Sequence, residues 1–400
     1  MSNKTTPLID PDLIGYAVDI RRHLHRNPEL SNTEVRTQEY IRAKLVKAGL
    51  AEPRIAAGTG LVVDIVGNAG PSNRKIAIRA DIDALPILED SGVEFSSANP
   101  GIMHACGHDA HTAMVLTAAA TLHRHRPAFR GTVRFIFQPA EEAEPLGGRR
   151  VIEEGHLDDV DAAIGIHVDP YLETGKIAVA PGSYTLAADG FDIIVEGSSA
   201  HAARPHEGID AIAIGCSIVG ELQKFVAREN DPLVPLIISV TAFSGGHSYN
   251  ILADRVELKG TLRSGNKAIR RIAHSRLEQI VSSVAELHRG SARVHLIKGE
   301  PPVENDADMV TLVQDTGRRL LGHEGVVQLP GWSAADDFGF YSEKRPSVYF
   351  RLGVRNEAKG AKYPLHHPKF AIDEDALPIG VETLTGTALA FLANDGSAKG

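Results

Sequence analysis

Runs of β-branched residues that alternate with helix-forming stretches constrain the fold of this chain most strongly. The runs predict strands at GLVVDIVG (60–67), RKIAIRADIDALP (74–86), GTVRFIFQ (131–138) and DAAIGIHV (161–168). One helix is predicted at 111–126, and another begins at Ser31, which forms a capping-box pattern with Glu34. This alternation indicates an α/β fold in which helices cover both faces of a sheet.

The pattern changes near residue 186, where a different order of elements begins. The order β-α-β-β-α-β over about 110 residues is that of the ferredoxin-like split unit, and mixed α/β structure follows it. We therefore predict an α/β protein with a mixed sheet, in which a smaller α+β domain, residues 186–298, is inserted into a discontinuous catalytic domain, residues 1–185 and 299–400. A chain of 400 residues has room for two or three domains.

Charge and apolar patterning exclude several classes of protein. The net charge of −9, from 51 acidic and 42 basic residues, comes without a basic stripe and argues against nucleic-acid binding. The N-terminal MSNKTTPLIDPDL lacks the pattern of a signal peptide, and no stretch approaches the ~18 consecutive apolar residues of a membrane span. Two cysteines cannot form a disulfide framework, and Cys216 is predicted to be buried by packing in a helical stretch. We expect a cytoplasmic protein with reduced thiols.

Polar residues suited to catalysis follow the predicted strands or precede a helix. They are Asp81 and Asp83 after KIAIRA, Cys106 and His108 before the helix, Glu141 and Glu142 after VRFIFQPA, and His167 at the end of AAIGIH. Because ligands of an open α/β sheet gather beyond the carboxyl ends of its strands, we expect these residues at one rim. One thiolate, two imidazoles and several carboxylates suit a divalent transition metal.

Each of these residues also has a simpler interpretation. Cys106 could be a Cys-His nucleophile, a redox thiol, part of a structural zinc site or a buried packing residue. Adjacent glutamates such as Glu141 and Glu142 are usually a solvated acidic pair, and a lone strand-end histidine such as His167 is usually not a ligand. The lack of a C-x-x-C pair, of a resolving cysteine and of an apolar setting favours a metal thiolate for Cys106. One glutamate would then bind metal while the other acts as general base.

Two other polar clusters lie at SSAHAARPHEGID (198–210), inside the predicted insert, and at YPLHHPKFAIDEDAL (363–377). The pair His366-His367 in the second cluster is, by itself, equally consistent with a polar loop. Motifs of other catalytic classes do not occur, namely G-x-S-x-G, H-E-x-x-H, the Walker A loop and G-x-G-x-x-G.

Five linked motifs give the sequence a specific resemblance to the M20 metallopeptidase family, over about residues 15–393. The motifs are MHACGHDAHTA, FQPAEE, GIHVDP, GSSAHAARPHEGIDAI and PLHHPKFAIDEDAL, in the order and spacing of that family. They look like those of its aminoacylase, hippurate hydrolase and auxin-conjugate hydrolase branch. Two positions depart from the pattern: Ala253 stands where proline is common, and Asp336-Asp337-Phe338 where Glu-Asp-Phe is usual.

The resemblance implies a co-catalytic pair of divalent metal ions, zinc or manganese, with cobalt or nickel as alternatives. Cys106 would bridge the two ions. The other ligands implied are His108, Glu142, His167 and His366. Glu141 would be the general base, and Asp83 would orient a ligand from outside the metal shell.

The inserted domain is implied to act as a lid and to mediate formation of a homodimer, with a tetramer as an alternative. His201 would reach a catalytic site, often across the dimer. Asn250 and Arg263 would bind the oxyanion or the carboxylate of the substrate.

These implied roles fit hydrolysis of an amide bond. Two metal ions would lower the pKa of a shared water and polarise the amide carbonyl, and Glu141 would pass the proton of that water to the departing amine. We therefore expect an amidohydrolase that cleaves small N-acyl amino acids, such as hippurate, N-acetyl amino acids or auxin conjugates. A dipeptidase or carboxypeptidase with the same centre and a metal-dependent binding protein without turnover are the alternatives.

Overall fold

The computed structural model describes residues 8–394, so part of the N-terminal segment predicted to lack a signal peptide lies outside the described residues. In this range the helices are α1 (Pro11–Arg26), α2 (Val35–Lys47), α3 (His108–Arg124), α4 (Gly147–Glu153), α5 (Ala211–Arg228), α6 (Lys267–Leu287), α7 (Ala307–Leu321), α8 (Gly339–Lys344) and α9 (Leu377–Ala393). The strands are β1 (Arg54–Ala56), β2 (Gly60–Val66), β3 (Lys75–Asp81), β4 (Thr132–Gln138), β5 (Ala162–Glu173), β6 (Ile177–Ala178), β7 (Gly182–Ser183), β8 (Ala187–Glu196), β9 (Leu236–Gly245), β10 (Arg255–Ser264), β11 (Ser291–Lys298), β12 (Glu304–Asn305), β13 (Val326–Val327) and β14 (Ser347–Arg355).

The described chain divides into two compact units. The first comprises residues 8–184, 304–330 and 340–394, and the second comprises residues 185–303 and 331–339. The segment 331–339 thus groups with the second unit, whereas the predicted division assigns it to the catalytic domain. The catalytic role predicted for the first unit and the lid role predicted for the second stay predictions.

An eight-stranded mixed sheet forms the centre of the first unit, in the order β1-β2-β4-β3-β5-β14-β6-β13. Its middle strands β4, β3, β5 and β14 are parallel neighbours. Side chains of β3 and β4 are buried at every position after the first, so both faces of the sheet are covered there. The predicted α/β fold with a mixed sheet is confirmed.

The segment Glu374–Ala393, which contains α9, is the one stretch of the described residues that is long and apolar enough to cross a membrane by length and composition alone. Of its most apolar 18-residue window, 67% is buried inside the protein. α9 packs against α3 and α7, and its apolar side chains belong to the same core as those of β3. Packing in the core of the first unit accounts for its apolar composition.

A four-stranded antiparallel sheet and two helices form the second unit. The sheet order is β11-β8-β10-β9, with α5 between β8 and β9 along the chain and α6 between β10 and β11. Every second side chain of β8 is buried, and those of Phe191, Ile193 and Val195 form one core with α5 and α6. The predicted β-α-β-β-α-β order is therefore present.

Cys216 is exposed, so the prediction that it is buried was wrong. The buried apolar side chains of α5 recur at intervals of three or four residues, at Ala211, Ile214, Ile218, Leu222 and Phe225. This spacing directs one stripe of the helix toward the sheet. Cys216 lies two positions from Ile214 and from Ile218, on the opposite side of the helix.

Ser31 and Glu34 do not form the predicted capping box. α2 begins at Val35, and no side-chain hydrogen bond caps it. The Ser31 hydroxyl donates to Asp83 Oδ2 at 2.7 Å, and Glu34 Oε1 accepts from the Ala140 amide at 2.8 Å. The prediction was wrong because both side chains bond to segments distant in the chain, which a local pattern cannot reveal.

Candidate metal centre

The carboxyl ends of neighbouring strands bring the predicted residues to one rim of the sheet in the first unit. Asp81 is the last residue of β3, and Glu141 and Glu142 follow the end of the adjacent β4. β5 continues past its predicted end, but it pairs with β3 only as far as Gly165. Since Arg79 is the partner of Gly165 in this register, His167 lies level with Asp81 at the end of β3, at the same rim.

A tight turn at Gly107 delivers Cys106 and His108 to this rim. Gly107 has φ +89°, and α3 begins at the next residue. A Cβ atom at Gly107 would lie 2.4 Å from Val168 Cγ2. Both the backbone conformation and the close approach to β5 therefore require glycine here.

We expect Gly107→Ala to lower the free energy of unfolding by about 2–4 kcal/mol, because left-handed strain adds to overpacking against Val168. Gly101→Ala is the matched control, since Gly101 has φ +85° and nothing lies within 4 Å of its Cβ position. The control should cost only about 1–2 kcal/mol. Chemical denaturation measures both values, and equal losses would show that the contact with Val168 contributes nothing.

Sulfur, nitrogen and oxygen donors converge at the rim in overlapping groups, each with its donor atoms within 4.8 Å of one another. One group joins Asp81, His108 and His111. Three others are Cys106 with His108 and His167, Cys106 with Glu142 and His366, and His108 with Glu141 and Glu142. Cys106 Sγ lies 3.4 Å from His167 Nε2, and Glu142 Oε1 lies 3.3 Å from His366 Nε2. We call the six residues of the last three groups the donor cluster.

Two buried atoms of the donor cluster, His108 Nε2 and Glu142 Oε1, make no hydrogen bond within residues 8–394, although His366 Nε2 approaches Glu142 Oε1 to 3.3 Å. His108 Nε2 and Glu142 Oε1 lie 3.9 Å apart. Buried polar atoms are rarely left unpaired, and a divalent cation beside them would supply the missing interaction. Thiolate, imidazole and carboxylate donors also suit such an ion. The residues present therefore fit a metal centre.

Hydrogen bonds on the far side of two imidazole rings direct Nε2 of each ring toward the donor cluster. His108 Nδ1 lies 3.0 Å from the main-chain oxygen of Asp83 and 3.2 Å from its Oδ1. His167 Nδ1 lies 2.8 Å from the main-chain oxygen of Val168. Because a carbonyl oxygen only accepts, both Nδ1 atoms carry a proton, and Nε2 is the atom of each ring that is left to bind a metal.

His366 reaches the donor cluster from the loop before α9. Its amide donates to the main-chain oxygen of Ala105 at 2.8 Å, and its side chain is 51% exposed, so it stands at the open side of the cluster. The neighbouring His367 stacks on Tyr363 instead, and its Nδ1 accepts from the Lys369 amide. Of this histidine pair, only His366 has a donor atom in the cluster.

Carboxylates give the donor cluster a strongly negative potential. Burial lowers the pKa of His108, but Asp81 and Asp83 outweigh burial and raise that pKa to about 10. Burial raises the pKa of the Cys106 thiol well above its ordinary value, and Glu142 raises it further. This environment opposes the thiolate that a cysteine nucleophile needs. It favours a divalent cation, whose binding would displace both protons.

A buried network that the sequence prediction missed holds Asp81. Arg79 Nη1 donates to Asp81 Oδ2 at 2.7 Å, and His111 Nδ1 lies 2.6 Å from Asp81 Oδ1. His111 Nε2 accepts from the Val168 amide at 2.9 Å, so both nitrogens of this ring are used and neither binds a metal. The spacing of Arg79 and Asp81 on one face of β3 is the sequence signal that could have revealed this pair.

His201 and Asn250 lie close together in the second unit. The amide of Ala202 donates to the main-chain oxygen of Asn250 at 2.9 Å, and His201 forms a β-bridge with Ile251. His201 Nδ1 accepts from the Ala203 amide at 3.1 Å. The neutral ring therefore carries its proton on Nε2, which can donate to an oxyanion.

Arg263 is not brought together with His201 within the second unit. Arg263 pairs with Ala188 at one end of β10, whereas Arg255 at the other end pairs with Glu196, the residue that leads into the His201 loop. Eight residues of antiparallel strand span about 27 Å. The predicted catalytic residue His201 therefore follows the strand end that faces Arg255, whereas the predicted substrate-binding residue Arg263 lies at the other end of β10.

The sequence model of peptidase family M20/M25/M40 matches residues 77–390, a range that includes the whole donor cluster. The chain belongs to this family. The family predicted from the motifs is thereby confirmed, and the protein is a hydrolase of the amidohydrolase and peptidase type.

Two curated relatives and one solved structure illustrate the similarity. The chain is 38% identical to thermostable carboxypeptidase 2 of Saccharolobus solfataricus, over 95% of this chain and 96% of that protein. It is 37% identical to N-acetyl-L-cysteine deacetylase of Bacillus subtilis, over 94% and 88% of the two chains. The crystal structure of the Bacillus subtilis YXEP protein, a dinuclear metal binding peptidase of the M20 family, superposes with a TM-score of 0.83 at 33% identity, over 96% and 99% of the two chains.

Proposed function

We propose that this protein is a metal-dependent amidohydrolase that cleaves N-acyl amino acids. The observation that carries the proposal is the pair Glu141-Glu142 at the donor cluster, where each carboxylate lies 3.9 Å from His108 Nε2. One carboxylate can hold a metal while its neighbour accepts a proton, and amide hydrolysis needs both roles. Similarity to a deacetylase of an N-acetyl amino acid supports this substrate class.

In this proposal Cys106, His108, Glu142, His167 and His366 would hold two divalent metal ions, and Cys106 would serve both. Zinc or manganese suits this mixed set, and cobalt or nickel is an alternative. When bound, such a pair of ions lowers the pKa of water and polarises a carbonyl oxygen. Asp83 orients His108 through the hydrogen bonds to its Nδ1.

The proposed roles of the other residues follow from their chemistry. Glu141 accepts the proton of the attacking water and returns it to the departing amine, because an amide nitrogen leaves poorly without a proton. His201 and Asn250 stabilise the oxyanion, for which the proton on His201 Nε2 is suited. Arg263 binds the carboxylate of the amino acid, since guanidinium pairs with carboxylate through two hydrogen bonds.

We also infer a homodimer formed through the second unit, in a cytoplasmic protein. β9 lies at an edge of its sheet and exposes Ile237 and Phe243, which a second copy could cover. The separation of His201 and Arg263, which lie near opposite ends of β10, supports the same inference. If both residues serve one substrate, they come from different subunits.

Peptide hydrolysis is the second candidate function, and the similarity to a carboxypeptidase favours it. The same donor cluster would serve both reactions, because each breaks an amide bond. A binding protein without turnover is the weaker alternative, since a binder has no use for the carboxylate of Glu141 beside the metal ligands.

A substrate panel tests the proposal. Protein reconstituted separately with zinc, manganese, cobalt or nickel is assayed on hippurate and N-acetyl amino acids, and on dipeptides and peptides with a free carboxyl terminus. We expect kcat/KM on at least one N-acyl amino acid to exceed that on every peptide by about tenfold or more, which corresponds to about 1.4 kcal/mol in transition-state binding. Turnover of peptides alone would exclude the proposed substrate class.

A further inference from the structure

Glu34 is a fully buried carboxylate far from the donor cluster in sequence. Its Oε1 accepts from the amides of Asn32, at 2.9 Å, and Ala140, at 2.8 Å. Its Oε2 accepts from the Thr59 hydroxyl at 2.5 Å. All three donors are neutral groups, so Glu34 has no ion-pair partner among them. The three donors belong to separate segments of the chain, and the Glu34 side chain connects these segments.

Ala140 stands in a strained turn immediately before Glu141 and Glu142. It has φ +48°, which a residue other than glycine rarely adopts, and its own side chain is buried. On the other side of the turn, the Gly147 amide donates to the Ala140 main-chain oxygen at 2.8 Å. The hydrogen bond from the Ala140 amide to Glu34 is thus one of the contacts that can hold this conformation.

Ser31, three residues before Glu34, is connected to the donor cluster through the carboxylate of Asp83. Its hydroxyl donates to Asp83 Oδ2, which also accepts from the Glu142 amide at 3.0 Å. The other oxygen of Asp83 contacts His108 Nδ1. A single carboxylate therefore joins Ser31 to two proposed metal ligands.

We propose that Ser31 and Glu34 are positioning residues for the reaction: Glu34 maintains the strained turn at Ala140 that directs Glu141 and Glu142 to the donor cluster, and Ser31 fixes Asp83. This inference rests on the proposed function, because it takes Glu141 as the base and Glu142 as a metal ligand. The two side chains act through geometry and touch neither substrate nor metal.

The geometric role makes a specific prediction about the charge of Glu34. A glutamine can keep its carbonyl oxygen on the two amides and donate from Nε2 to the Thr59 hydroxyl, which can turn to accept. Glu34→Gln should therefore retain kcat and metal content within about threefold of the original protein. Glu34→Ala removes all three hydrogen bonds and should lower kcat by about 10–100-fold, the usual cost of losing a contact that orients metal ligands.

Glu29→Ala is the matched control for Glu34→Ala. Glu29 is also a buried carboxylate of this segment that accepts from a main-chain amide, that of Thr37 at 2.8 Å, but its side chain makes no hydrogen bond to Asp83 or to the Ala140 turn. Its main-chain oxygen accepts from the Ala84 amide, a contact that Glu29→Ala retains. Its removal should lower Tm while leaving kcat and metal content per folded molecule unchanged. Ser31→Ala is the milder companion, and we expect it to fold and to weaken metal binding by about tenfold.

The readouts are metal content after dialysis against limiting metal, Tm, and kcat and KM on the best substrate of the panel. We expect lower metal content and kcat for Glu34→Ala, with KM within about threefold. A folded Glu34→Ala that matches the original protein, a Glu34→Gln as impaired as Glu34→Ala, or an equal loss in Glu29→Ala would each overturn the proposal. If Glu34→Ala does not fold, unchanged metal binding in Ser31→Ala overturns it.

Metal content is measured without any substrate, so it tests the positioning role independently of the proposed function. If the protein cleaves peptides instead of N-acyl amino acids, the substrate class is wrong while the positioning role is tested on the peptide. If Glu141→Gln keeps full turnover, the base assignment is wrong, and the effect of Glu34 on metal content still decides whether it orients Glu142.

Discussion

Glu141→Gln is expected to lower kcat for amide hydrolysis by about 10²–10⁴-fold while the protein keeps its metal content. The carboxamide has nearly the shape of the carboxylate but cannot accept the proton of the attacking water, and general-base catalysis contributes about this factor. Glu141 Oε2 lies 3.9 Å from His108 Nε2 and its side chain is 11% exposed, so it stands at the edge of the donor cluster, within reach of solvent. Steady-state kinetics and elemental analysis of the same preparation measure both quantities.

Glu144→Gln is the matched control for this variant. Glu144 belongs to the same loop, but its side chain is 58% exposed and contributes no donor atom to the cluster. It pairs with Arg149 at 3.6 Å and accepts from the Leu146 amide at 3.0 Å. We expect its turnover within about twofold of the original protein, as for a surface pair of little energetic consequence. Full turnover in Glu141→Gln would mean that another group accepts the proton.

Cys106→Ser is expected to weaken metal binding strongly. A serine hydroxyl is a much poorer ligand than a thiolate for the metals that suit this site, and Cys106 belongs to two of the three groups that make up the donor cluster. Because changes outside the metal shell already cost 10–100-fold in affinity, loss of a shared ligand should cost at least about 100-fold. Titration of the metal-free protein, followed by the metal-dependent rise in Tm, measures this affinity.

The other cysteine provides the control for Cys106→Ser. Cys216 is exposed on α5 and makes no contribution to the donor cluster, so Cys216→Ser should bind metal as the original protein does. Unchanged metal stoichiometry and affinity in Cys106→Ser would reject the thiolate ligand. If Cys106→Ser kept its metal binding but lost turnover, Cys106 would instead be interpreted as a nucleophile.

Alternation of strands and helices could be predicted from the sequence because it depends on local periodicity. The four predicted strands of the first unit, and the order β-α-β-β-α-β of the second, all have counterparts in the structure. The motifs also identify the family, which the match over residues 77–390 confirms. The same periodicity indicates which side of α5 faces the sheet, because Ile214, Ile218 and Leu222 recur at intervals of four residues. Cys216 lies off that stripe, so the prediction that it is buried used the helical character of the stretch without its period.

The histidines around Cys106 could not be ranked from their spacing. His104, His108 and His111 lie within eight residues of one another, and all three are buried. His104 contributes no donor atom to the groups of the donor cluster, and both nitrogens of His111 are used by Asp81 and Val168. Only His108 presents an unpaired nitrogen to the donor cluster, and that choice depends on which carbonyl lies behind each ring.

The sequence alone determined which chemical groups were present and at the ends of which elements they would stand. Strand and helix periods act over a few residues, and the carboxyl ends of parallel strands meet at one rim whatever the details of packing. Only the tertiary structure decided how those groups are held. Ser31, Glu34 and Asp83 bond to partners 52, 106 and 59 residues away, and contacts across such separations depend on how the segments pack. A local capping pattern at Ser31 and Glu34 therefore concealed two hydrogen bonds that reach the loops of the metal centre.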